Sequence, residues 1–82
     1  MNLYLVERTD PIGYDAFESF VVVSESEEKA RLYQPKEYAT YLDTEEFHGW
    51  TNDSESLKVT LIGIALSEFK EGHCITTSFL NG

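Results

Sequence analysis

The chain reads as an α+β domain, a four-stranded, mostly antiparallel sheet with one main helix on one face in the order β-β-α-β-β. Three observations predict it. Four segments carry strand patterning: Asn2–Arg8, 17–23, 57–66 and 73–80. Between the second and third, Ser24-Glu25-Ser26-Glu27-Glu28 carries a helix start signal. The 82 residues, 41% hydrophobic and 13% aromatic, suffice for one core, so 1–82 is a single domain with no room for a second.

Asn2–Arg8 alternates Leu3/Leu5 with Tyr4/Val6, a strand with both faces at least partly covered. Thr9-Asp10-Pro11-Ile12-Gly13 is dense in turn formers and ends it. Phe20-Val21-Val22-Val23 is apolar on both faces, which suits an interior strand. Ser24 with Glu27 then fits the Ser-x-x-Glu capping box, and the early acids suit the positive end of a helix. In that helix Ala30 and Tyr33, with Leu32, face the sheet, while Lys29 and Arg31 reach solvent.

Pro35 either stops this helix or opens a second one at its first turn. Tyr38, Tyr41 and Leu42 fall at i, i+3, i+4, the spacing of a short second helix over 36–42, but they also alternate loosely as a strand. Residues 48–54 are polar and turn-rich, a surface loop. In 57–66, Val59, Leu61 and Ala65 share one face and Thr60, Ile62 and Ile64 the other, with Gly63 predicting a bulge or a close neighbour. A hairpin-like connection over 67–72 leads to the last strand, with Ile75 and Phe79 inward and Thr76 and Ser78 outward.

The charge is uneven. Fifteen acids against six bases give a net charge of −9, and six of the acids fall in 37–56 (EYATYLDTEEFHGWTNDSES), where no Lys or Arg opposes them. The same connecting segment holds Tyr38, Tyr41, Phe47 and the sole tryptophan, Trp50. Solubility alone needs no such clustering, whereas a binding face would produce it. The charge repels phosphate backbones and anionic membranes and favours a basic surface on a host protein or ribonucleoprotein complex. The candidate partner-binding residues are Glu37, Tyr41, Asp43, Glu45, Glu46, Trp50, Asp53 and Glu55. Trp50, preceded by Gly49, reads either as an exposed anchor or as a lid on a small core.

Groups for chemistry are sparse. Cys74 beside His73 supplies a nucleophile and a base, but adjacent strand residues point to opposite faces. His48, His73 and Cys74 make too few and too crowded a set for zinc, and the carboxylates around Asp43 lack the glycine and terminal Glu positions of a calcium loop. Gly49, Gly63 and Gly72 are isolated, so no phosphate cradle is present. The expectation is a non-enzyme with no cofactor and no metal. A single cysteine suits a reducing compartment. The N-terminus lacks a signal-peptide pattern, and the longest apolar run, LIGIAL at 61–66, is too short to span a bilayer. A cytoplasmic location is expected.

Three passages carry a resemblance. The opening LYLVERTDPIGYDAFESFVVVSESEEKAR, the strand VTLIGIA and the ending CITTSFLNG resemble small uncharacterised proteins encoded in phages and prophages. The resemblance covers about two-thirds of the chain, omits most of the acidic middle, and implies a fold and a genomic setting without an active site. Small acidic phage proteins include anti-CRISPR and other counter-defence inhibitors, some of them DNA mimics. That setting, taken with the charge, leads to the expectation of a non-enzymatic inhibitor in the bacterial cytoplasm, binding a nucleic-acid-handling defence complex through an acidic, partly DNA-mimicking surface. Two alternatives stand beside it. One is a sponge for a signalling nucleotide, with Arg8, Arg31 and Lys58 in an aromatic-lined pocket between protomers; the other is a structural or regulatory phage protein without a defence role. The oligomeric state is open between monomer and homodimer.

Overall fold

The computed structural model describes residues 1–10, 16–36, 39–44, 50 and 54–80. Strands β1 (Asn2–Arg8), β2 (Ala16–Ser24), β3 (Leu57–Ile64) and β4 (Cys74–Leu80) form one sheet in the order β3-β1-β2-β4, every neighbouring pair antiparallel. A one-turn helix, α1 (Glu27–Ala30), follows β2, and a 3-10 turn at Ser54–Ser56 leads into β3. This is the α+β class expected, with the helix packed on the sheet.

The topology explains why the middle of the chain lies where it does. β2 and β3 both run antiparallel to β1, which sits between them, so they run in the same direction. A chain leaving β2 must return along the whole sheet before entering β3, and such a crossover passes over a face. The described part of 25–56 makes that crossing and covers the core.

The cross-strand pairs Tyr4↔Val22 and Val6↔Phe20 set one row of side chains on the covered face. Phe17 joins them because the pairing with β4 slips between Phe17 and Ser19, breaking the two-residue alternation. Ala30, Leu42, Trp50 and Leu57 close over this row. On the opposite face Leu3, Leu5 and Val21 are only half-buried.

Several local expectations are corrected. The helix cap is Ser26, whose hydroxyl accepts from the Lys29 N–H (3.2 Å), and not Ser24. Ser24 still pairs with Asn2 in the sheet, is fully buried, and donates to the Ser26 carbonyl, so the helix cannot begin until the chain clears β2. Three residues beyond Ser26 stands Lys29, so no capping box forms. The helix tightens at once: the N–H groups of Leu32 and Tyr33 donate three residues back, to Lys29 and Ala30. Hence Ala30 is buried and Tyr33 packs on the core as expected, but Leu32 is 57% exposed. Arg31 is half-buried and donates to the Leu57 carbonyl (2.9 Å).

The 36–42 ambiguity is resolved by a distant partner. The Cys74 N–H donates to the Thr40 carbonyl and the Leu42 N–H to the Gly72 carbonyl, both at 2.8 Å, so residues 40–42 pair alongside the entrance to β4. Tyr38 lies outside the described residues. The bulge expected near Gly63 is present: the β1 register steps from Tyr4↔Leu61 to Leu3↔Gly63, leaving Ile62 extra. A second slip against Val21 and Val22 turns Ile75 out (44% exposed), and Cys74 takes the inward place. The Phe79 side chain lies outside the described residues.

β3 and β4 are not a hairpin; they occupy opposite edges of the sheet. The 65–73 connection rounds one end, held by the Ala65 N–H on the Met1 carbonyl (2.9 Å) and the Gly72 N–H on the Val23 carbonyl (2.8 Å). Glu71 clamps this turn to the helix start, accepting from the Glu25 N–H (2.8 Å) and the Tyr33 hydroxyl (2.7 Å). Burial alone would raise the Glu71 carboxyl, but the bonds from the Tyr33 hydroxyl and the Glu25 N–H, with the Lys29 charge nearby, outweigh it and hold the group below its ordinary range. Burial, then the bond to Glu71, pushes the Tyr33 hydroxyl well above its ordinary value.

The signs of these shifts differ. A lowered carboxyl contributes stability fully above its unfolded pKa of about 4.3, lost as pH falls through the folded value. A raised phenol contributes fully below about 10, lost as pH rises through its folded value. Glu71→Gln should therefore lower stability by about 1–2 kcal/mol at neutral pH and flatten the acid limb of the stability profile. Urea titrations at a series of pH values check this; an unchanged acid limb would remove Glu71 from the account.

Candidate partner-binding surface

The crossover segment separates its two kinds of residue. Trp50 is 6% exposed, packed edge-on against Phe20 with ring centroids 5.2 Å apart, and the Arg8 guanidinium lies 5.7 Å over its ring. The reading of Trp50 as an exposed anchor is thus corrected. A one-turn helix covers too little of the sheet, and the indole completes the lid. Its Nε1–H is buried without a hydrogen-bond partner among the described residues.

Tyr41 faces outward, 52% exposed, with its ring edge-on to His73 at 5.1 Å; His73 in turn packs on Phe69 at 4.7 Å. Asp43 is not an unopposed charge. Its backbone bridges to Gln34, which brings Lys36 back onto its carboxylate as an ion pair. Glu55 is exposed in the 3-10 turn before β3. Tyr41 lies beside His73 at the end of the sheet where β2 finishes, whereas Glu55 precedes Leu57, which pairs with Arg8 at the other end. The two are separated by about the length of β1, roughly 20 Å. The described candidates thus spread along the covered side without meeting at a point. Glu37, Glu45, Glu46 and Asp53 lie outside the described residues.

The basic residues are engaged locally. Arg8 forks onto Asp10 (2.9 and 2.6 Å), Lys29 pairs with Glu25, Arg31 with Glu27 (3.0 Å), and Lys36 with Asp43. The Arg8–Asp10 hydrogen bond holds the guanidinium above its ordinary pKa and the carboxyl below its own. Four of the six bases thus meet acids outside 44–56. Sequence reasoning missed the Arg8–Asp10 fork and the reach of Arg31 to Leu57. The first had a visible signal, opposite charges two residues apart where a strand ends. The second depends on tertiary structure alone.

Cys74 is half-buried against the core, and burial pushes its thiol pKa up, away from the thiolate a nucleophile needs. Among the described residues, no three His, Cys, Asp or Glu side chains gather as a metal site, and no helix is long and apolar enough to cross a membrane. No protein-family model, curated protein or solved structure matches the chain.

Proposed function

We propose that the chain is a non-enzymatic inhibitor whose acidic crossover segment docks on the basic surface of a bacterial nucleic-acid-handling defence complex, in the manner of an anti-CRISPR protein. The observation that carries this reading is the charge arrangement. Six of the fifteen acids fall in 37–56, a stretch without Lys or Arg, and four of the six bases form ion pairs with acids elsewhere or at its start, Asp10, Glu25, Glu27 and Asp43. In this reading the carboxylates of 37–56 take the place of phosphates facing a basic groove. The phage setting rests on the sequence resemblance. With Trp50 in the core, the contact is mainly electrostatic, and Tyr41 is the exposed aromatic that remains.

The nucleotide-sponge alternative is less well supported. Arg8 and Arg31 do approach the same end of the sheet near Leu57, but each guanidinium already holds a carboxylate that a phosphate would have to displace.

Affinity capture from bacterial lysate should test the inhibitor reading, with wild type compared against a variant carrying E45Q, E46Q, D53N and E55Q. Wild type is expected to retain a nucleic-acid-handling complex, with recovery reduced at least tenfold for the variant and by raised salt. Equal recovery by both would overturn the charge-driven contact, and wild type retaining no such complex would overturn the function.

A further inference from the structure

The most distinctive surface outside the acidic segment is the free edge of β3. As an outer strand it presents one row of backbone N–H and C=O groups with no strand beside it among the described residues. Natural edges are usually blunted by lysines, prolines or inward-pointing charge. Across 57–66 the only charge is Lys58, at the start, and there is no proline. Leu61, Ile62, Ile64 and Leu66 are 59%, 51%, 82% and 66% exposed, and Met1, whose carbonyl is bonded to Ala65, is 50% exposed. Bulges often turn an edge away from partners, but the one at Ile62 exposes an apolar residue. The β4 edge differs, with exposed Thr76 and Ser78 and the Ser78 hydroxyl bonded to Glu18 (3.1 Å).

We propose that β3 pairs antiparallel with β3 of a second copy about a two-fold axis, joining two four-stranded sheets into one. The charge pattern and the exposed apolar row both argue for a second copy as the occupant. A chain with a net charge of −9 repels its own copies over most of its surface. Residues 57–66 contain no carboxylate, so the strand itself adds nothing to that repulsion, and it offers no charge to an ionic partner beyond Lys58. Antiparallel self-pairing is isologous, so one patch serves both sides, as a two-fold dimer requires. Leu61, Ile62, Ile64, Leu66 and Met1 are each half or more exposed, and pairing at this edge covers part of that apolar surface while it satisfies the open backbone row. This inference stands independently of what the acidic segment binds.

Sedimentation equilibrium on the intact chain tests it, with Ile64→Lys, Leu66→Lys and Thr76→Lys as variants. All three sites are exposed, so circular dichroism should match wild type. Wild type is expected to dimerise at micromolar concentration. Ile64→Lys or Leu66→Lys should weaken the dimer at least tenfold, and Thr76→Lys on the far edge should leave it unchanged. A wild type monomeric up to about 100 µM, β3-edge variants that dimerise as tightly as wild type, or a dimer broken equally by Thr76→Lys would each overturn the proposal.

Discussion

Trp50→Ala is expected to destabilise the domain by about 3–5 kcal/mol, a large share of what a chain of this size holds in reserve. The indole is packed edge-on to Phe20, at the centre of the row formed by Tyr4, Val6 and Val22, and roofs the part of the sheet that α1 leaves open. Truncation leaves a cavity that only the crossover segment can collapse into. Trp50→Phe should behave differently. It keeps most of the apolar volume and removes a buried N–H that has no partner among the described residues, a group whose desolvation alone costs about 1–3 kcal/mol. The phenylalanine variant should therefore fall within about 1–2 kcal/mol of wild type. Urea unfolding of both variants checks the contrast. The emission of this sole tryptophan checks the premise: blue-shifted when folded, shifting red on unfolding. An alanine variant as stable as wild type would put Trp50 on the surface and restore it as a binding anchor.

Gly72→Ala is expected to cost about 1–3 kcal/mol, and a β-branched residue there more. Gly72 has φ +85°, in the left-handed region that side-chain-bearing residues rarely adopt. Space is short as well as conformation: a Cβ would lie 3.2 Å from the Leu42 carbonyl oxygen, 3.2 Å from Tyr33 Cε1 and 3.3 Å from the Tyr33 hydroxyl. Because Tyr33 is bonded to Glu71, the added methyl pushes on the clamp that holds the 65–73 turn to the helix. The variant should lose stability at neutral pH and also part of the acid-limb steepness assigned to Glu71. Loss of stability with the acid limb intact would separate backbone strain from disturbance of the clamp.

Period-two alternation and turn residues made β1, β2 and β3 legible, because both are local properties of the chain. The helix start was misplaced by two residues because Ser24 and Ser26 are both capping types, and only the sheet pairing of Ser24 to Asn2 decides between them. The 36–42 segment is undecidable locally; the bonds of Thr40 and Leu42 go to Cys74 and Gly72, thirty or more residues along the chain. The exposure of Leu61 and Ile64 follows from β3 being an edge strand, and strand order is a pairing property that a single strand's pattern does not encode. The acidic segment itself was visible as charge. Its division into a buried Trp50 and an exposed Tyr41 was not, because both are aromatics in a polar neighbourhood and only the gap left by a one-turn helix draws one of them in. Asp43 looks unopposed in sequence because Lys36 lies just outside the base-free window, and the Gln34–Asp43 bridge folds it back.

The placement of β3 and β4 at opposite edges has a kinetic consequence. The β1–β2 pair is the one strand contact that can form between segments adjacent in sequence, and once formed it has two raw edges. Each is sealed by a strand from the last third of the chain, after a long loop has closed, so the contact order is high and folding should fall on the slow side for a domain this small. During synthesis the hairpin emerges first and waits for both its neighbours. Through that interval its Val-rich β2 edge is the segment most open to pairing with the wrong strand.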